Sequence, residues 1–157
     1  MKTAVQKYHS YSDEWEKAYF DPDSGGFNIY HKDHKFSALG GGGEAEKTVG
    51  KILAKRGRQI EFLPEGEEKS ADIRFDKQTW DIKYIDHANE ETIRNYIKDA
   101  RKADNVIFYY TKDKYLSLDN AIVREVGKYI KENRVHELPN IYYIDLSFNE
   151  LKLLWKK

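Results

Sequence analysis

The sequence predicts an α/β (α+β) fold, a mixed sheet flanked by helices, on three observations. Apolar residues recur at helical spacing in three separated stretches, and short runs rich in β-branched and aromatic residues lie between them. From Glu44 onward the two signals alternate in the order α-β-β-β-α-β-α-β-α.

Taken in order, residues 1–43 form an aromatic-rich extension ending in a glycine linker, and residues 44–157 form the main domain. In the extension, the turn signal Asp21-Pro22-Asp23-Ser24-Gly25-Gly26 lies between Ala18-Tyr19-Phe20 and Phe27-Asn28-Ile29-Tyr30, which predicts a β-hairpin. Gly40 to Gly43 break regular structure and read as a hinge. Glu44 to Arg56 reads as a helix, with Ala45, Val49, Ile52 and Leu53 at helical spacing and Gly57 at the left-handed cap position. Ile60 to Leu63 is a short strand closed by Pro64 and the acidic loop Glu65-Gly66-Glu67-Glu68. Ala71 to Asp76 and Trp80 to Ile85 alternate apolar and polar residues as strands do. A second helix spans Asn89 to Ala103, with Ile93, Tyr96, Ile97, Ala100 and Ala103 on one face. Val106 to Tyr110 is a buried-type strand, Leu118 to Asn133 a third helix and Ile141 to Ile144 another strand. Leu151, Leu154 and Trp155 suggest a short final helix.

At 157 residues the chain suits one domain. With no cysteine, disulfide scaffolds, thiol nucleophiles and Cys-ligated metal sites are excluded. Lys plus Arg number 27 and Asp plus Glu number 27, so any basic footprint for nucleic acid must be local. No apolar run reaches the roughly 18 residues of a membrane span, and no signal-peptide core opens the sequence.

The informative stretch is Ala71-Asp72-Ile73-Arg74-Phe75-Asp76 followed by Trp80-Asp81-Ile82-Lys83-Tyr84. Strand alternation puts Ile73, Phe75, Trp80 and Ile82 on a packed face and Asp72, Arg74, Asp81 and Lys83 on the opposite one. With Lys77 and Gln78 as a two-residue loop, Asp76 pairs with Thr79, Arg74 faces Asp81, and Asp72 faces Lys83. A solvated hairpin carries such mixed charge too, worth only tenths of a kcal/mol per pair. The preceding helix sets this one apart. Glu46 lies about 20° beyond the apolar arc, so its carboxylate borders the face that packs on the sheet, whereas Glu44, the other acid of this turn, lies about 80° off the other edge. Carboxylates beside a lysine suit a hard divalent cation such as Mg²⁺, which polarises a phosphoryl oxygen and acidifies a bound water. The lysine orients that water or balances transition-state charge.

Glu46, Ser70-Ala71-Asp72 and Trp80-Asp81-Ile82-Lys83 together resemble the PD-(D/E)XK nuclease motif on its restriction-endonuclease-like α-β-β-β-α-β core, over roughly residues 44–110. Within that superfamily the chain is similar to the C-terminal toxin domains of contact-dependent growth inhibition (CdiA) proteins, which act as tRNA nucleases. Ile52-Leu53-Ala54-Lys55-Arg56-Gly57, Glu61-Phe62-Leu63-Pro64-Glu65 and the lead-in Gly25-Gly26-Phe27 with Tyr30-His31-Lys32-Asp33-His34 support the likeness. It departs from the motif where Ala71 replaces proline and where Asp81 stands for the commoner Glu, with a shorter reach.

The resemblance implies a nuclease domain over 44–157, with Asp72 and Asp81 as metal ligands, Glu46 completing the ligand set or supporting it, and Lys83 as the catalytic lysine. It implies Mg²⁺ as cofactor (Mn²⁺ or Zn²⁺ as alternatives), tRNA as substrate and a cognate immunity protein as partner. It further implies release from a larger secreted or surface-delivered protein and action in the cytoplasm of a target bacterium. A DNase of the same fold and an inactive binding module are the competing functions. Arg94, Lys98, Arg101 and Lys102 form a basic stripe on the second helix, placed to contact phosphates with Asn95 or Tyr96 assisting; a solvated helix face is the alternative. Arg124, Lys128 and Lys131 read as a solvated face. His31 and His34 have metal-ligand spacing but no third ligand, which favours a surface or hydrogen-bonded pair.

Overall fold

The computed structural model describes residues 1–37, 41–66, 71–85, 90–100, 102–110 and 118–157. Gly40, the Glu67-Glu68 part of the acidic loop, Ser70, Asn89 and Arg101, all singled out above, lie outside the described residues. The chain divides into two compact units, Met1–Trp80 and Asp81–Lys157.

In the first unit, Thr3 and Gln6 cap each other's backbone to start α1 (Ala4–Ser10), a helix the sequence reading missed although this reciprocal box is its local signature. The expected hairpin is present: β1 (Trp15–Phe20) runs antiparallel to β2 (Phe27–His31). Helix α2 (Gly42–Lys55) starts two residues before Glu44, taking Gly42 and Gly43 out of the expected linker. Ser37 packs there so closely that a Cβ on Gly42 would lie 2.7 Å from its Oγ, and its carbonyl accepts the Gly43 N–H at 2.9 Å. Gly57, at φ 88°, ends the helix as expected. β3 (Gln59–Phe62) then pairs parallel with β2 and antiparallel with β4 (Ile73–Phe75). The sheet is therefore mixed, in the order β1-β2-β3-β4-β5.

The β4–β5 register corrects the expected one by two residues. β5 (Gln78–Ile85) pairs Ile73 with Trp80, Arg74 with Thr79 and Phe75 with Gln78. The loop is Asp76-Lys77, at φ 53° and 61°, not Lys77-Gln78. Such a tight turn needs both central residues left-handed, and Asp tolerates that conformation better than most side chains. Arg58 pairs with Asp76 at the turn, and Arg74 reaches across to Glu61 (Nε to Oε1 2.7 Å) instead of facing Asp81. Ile73, Phe75 and Trp80 are buried as expected, with the Phe75 and Trp80 rings stacked at 4.4 Å.

The division into units falls within β5, whose last five residues open the second unit. There α3 (Glu90–Ala100), β6 (Asn105–Tyr110), α4 (Leu118–Lys131) and β7 (Asn140–Asp145) follow in the predicted order. β6 and β7 are parallel, and Ile93, Ile97, Val106, Phe108, Ile122 and Ile141 are fully buried between helices and sheet. The chain end departs from expectation. β8 (Glu150–Trp155) is a strand antiparallel to β7, not a helix. Three apolar residues at helical spacing could not decide between the two, and pairing with an open sheet edge did. Among the described residues, no helix is long and apolar enough to cross a membrane.

Candidate active site

The two acids of α2 differ in burial. Glu46 is 4% exposed on the side of α2 that packs on the sheet, while Glu44 points outward and pairs with Lys47 at 3.9 Å. Both oxygens of Glu46 face protein groups. Oε2 accepts the Ser37 backbone N–H at 2.9 Å, and Oε1 lies 3.4 Å from Nε2 of His34. His34 is as buried as its partner. Its Nδ1 is 2.7 Å from the Leu63 carbonyl oxygen, and the rings of Phe36 and Phe62 pack edge-on to it at 4.6 and 5.3 Å. Burial disfavours the charged imidazole, but the hydrogen bonds to Glu46 and Leu63 and the nearby charges of Glu46 and Asp72 outweigh it, so the His34 pKa is raised above its ordinary value. His34 is thus neither a surface residue nor half of a His31 pair. His31 instead accepts the Asp33 N–H through Nδ1 at 3.1 Å and packs edge-on to Trp15 at 4.8 Å.

Asp72 stands immediately before β4, half-buried, and is held through its backbone: its carbonyl accepts the Leu63 N–H at 3.0 Å, and its own N–H donates to the Trp80 carbonyl at 3.1 Å. The first unit therefore brings Glu46, His34 and Asp72 into one neighbourhood, bridged by Leu63.

Asp81 and Lys83 lie on β5 in the second unit. Two residues apart, they share a side of the strand; Asp81 is 5% exposed, and the Lys83 ammonium lies 5.6 Å from the centre of the Tyr96 ring.

The helix expected to reach Ala103 ends at Ala100, so Lys102 lies beyond α3; Arg94 pairs with the buried acid Glu125 of α4 (Nε to Oε1 3.5 Å), and Lys98 and Lys102 are exposed. On α4 Arg124, Lys128 and Lys131 are exposed as expected, and two of them also pair, Lys128 with Glu125 and Arg124 with Glu90, each at 2.8 Å. Glu125 went unremarked in the sequence. Its signal was its position among Ala121, Ile122, Val126 and Tyr129 on the apolar face.

Among the described residues, no three His, Asp or Glu side chains are grouped to hold a metal ion. Hard oxygen donors are nonetheless the right chemistry for Mg²⁺, which commonly takes one or two carboxylates and fills its remaining positions with water and substrate phosphate. The oxygens of Glu46 already face His34 and the Ser37 backbone.

No family model and no curated protein matches the chain. Its fold does resemble that of a solved chain from the CdiA-CT/CdiI toxin and immunity complex of Burkholderia pseudomallei, with TM-score 0.53 and 17% sequence identity over 79% of this chain and 96% of that one.

Proposed function

We propose that this chain is a toxin domain of contact-dependent growth inhibition that hydrolyses phosphodiester bonds in tRNA with a divalent metal ion. The observation that carries this reading is the coincidence of two independent facts. The fold is like that of a chain from a toxin and immunity complex, and the residues that resemble the nuclease motif in sequence, Glu46, Asp72, Asp81 and Lys83, lie on α2, before β4 and on β5, which supports the reading. An immunity protein has no use for that constellation, which favours the toxin side of such a pair.

In this reading Asp72 and Asp81 hold the metal, which polarises the scissile phosphoryl group and acidifies an attacking water. Lys83 orients that water and stabilises charge growing on the phosphate. Its position against the Tyr96 ring keeps the ammonium on a short leash at β5. Glu46 supports the site from the helix side and does not ligate. Lys98 and Lys102 contact substrate phosphates, and Arg101 belongs with them by spacing; Arg94 contributes less, because Glu125 already engages it. The domain is delivered within a larger protein into the target's cytoplasm, and the producing cell carries an immunity protein with an acidic surface toward the α3 stripe.

Incubating the purified chain with total tRNA and, separately, with plasmid, in Mg²⁺ or EDTA, tests this reading. It expects tRNA fragments in Mg²⁺ and none in EDTA. Plasmid cleavage alone would make the domain a DNase. Binding without cleavage of either would make it an inactive module.

A further inference from the structure

His34 presents a proton-counting problem that its surroundings solve. The Leu63 carbonyl oxygen, 2.7 Å from Nδ1, can only accept, so Nδ1 carries a proton. On the other side Nε2 meets Glu46 Oε1 at 3.4 Å, and both atoms are buried with no other hydrogen-bond partner. A neutral ring would set a buried lone pair against a buried carboxylate oxygen, which is repulsive. A second ring proton turns that contact into a charge-assisted bond.

We propose that His34 is a positioning residue of the candidate site: doubly protonated, it anchors the Glu46 carboxylate on one side and, through Leu63, the backbone of Asp72 on the other. This inference rests on the nuclease reading for its catalytic part only. The path is continuous within the first unit: Glu46 to His34, His34 to the Leu63 carbonyl, the Leu63 N–H to the Asp72 carbonyl, and the Asp72 N–H to Trp80. Glu46 of α2 and Asp72 before β4 are the charged groups acting on the ring, and the raised pKa agrees with the assignment. The rings of Phe36 and Phe62 pack edge-on against it. Without His34, the Glu46 carboxylate loses its buried neighbour and the Leu63 carbonyl its bond, so the segment that carries Asp72 is held less firmly and catalysis weakens without loss of substrate binding.

The test has two arms. In the intact chain labelled with ¹⁵N at histidine, with His34 assigned by comparison with His34→Gln, both ring nitrogens should carry protons at pH 7, and in Glu46→Gln the ring should be neutral at that pH. A bare Nε2 in the unmutated chain at pH 7 would overturn the proton assignment. In the second arm, His34→Gln, which keeps a donor toward Glu46, should lower kcat on tRNA less than His34→Phe, for which the expected loss is about 10–100-fold with KM unchanged. A chain that cleaves tRNA with equal kcat in His34→Phe would overturn the positioning role; if His34→Phe does not fold, unchanged kcat and pH profile in Glu46→Gln would do the same. A chain that cleaves no tRNA at all defeats the nuclease reading, while the ring-nitrogen arm still decides the proton assignment.

Discussion

Each unit buries one glutamate on a helix, and the two are neutralised in opposite ways. Glu125 of α4, 2% exposed, is met by Arg94 and Lys128, whose side chains are 42% and 49% exposed and which bring permanent charge from the surface. Glu46 of α2 is met by a backbone N–H and by a histidine as buried as itself. The first solution draws on two half-exposed cations from neighbouring surface positions. The second depends on one titratable ring. The two pairs therefore differ in whether the countercharge rests on a titratable side chain.

The largest effect should come from stripping Glu125 of both cations. Arg94→Ala with Lys128→Ala leaves a buried carboxylate without countercharge, and urea unfolding should show a loss of about 3 kcal/mol. Adding Glu125→Leu should restore most of it. A loss below about 1 kcal/mol would mean that water reaches Glu125 and that the two acids are less alike in burial than their surroundings indicate.

Glu46→Gln should cost less, about 1–2 kcal/mol, because the amide oxygen still accepts from Ser37. Its sign with pH is the sharper test. The His34 pKa is raised in the fold, so the stability it contributes is complete below its ordinary value of about 6.5 and is lost as pH rises through the raised one. Unfolding curves from pH 5 to 9 should therefore show the gap between the unmutated chain and Glu46→Gln narrowing toward high pH. A gap that stays constant across this window would contradict a protonated His34 beside Glu46.

The smallest effect concerns the β4–β5 turn that sets the first unit's register. Lys77 holds φ 61°, where a side chain is strained, so Lys77→Gly should raise stability by about 0.5–1 kcal/mol. A destabilised variant would mean that the left-handed geometry at this turn is not maintained in solution.

These features differed in how far the sequence disclosed them. Helical periodicity was enough for α2, α3 and α4, and alternation was enough for β4 and β5, because each has one face fully committed to a core. Register was beyond reach, since it turns on whether Asp76 or Gln78 sits in a two-residue loop, and only backbone twist decides that. β8 was misread because its Leu and Trp spacing satisfies a helix as well as a strand, and the edge of β7 settled it. Glu46 was legible from its angle on α2. Its partner was not, because His34 lies in an irregular segment where no period places a side chain. The charges of Arg94 and Glu125 were each visible, but a salt bridge between two helices depends on tertiary packing.

The most direct measurement of the functional claim is single-turnover cleavage of tRNA in Mg²⁺ by the unmutated chain, Asp81→Asn and Lys83→Ala, with Mg²⁺ binding titrated in each. The account predicts that Asp81→Asn loses both metal binding and cleavage. Lys83→Ala should keep the metal and cleave about 10²–10³-fold more slowly. Undiminished cleavage by Asp81→Asn would contradict it.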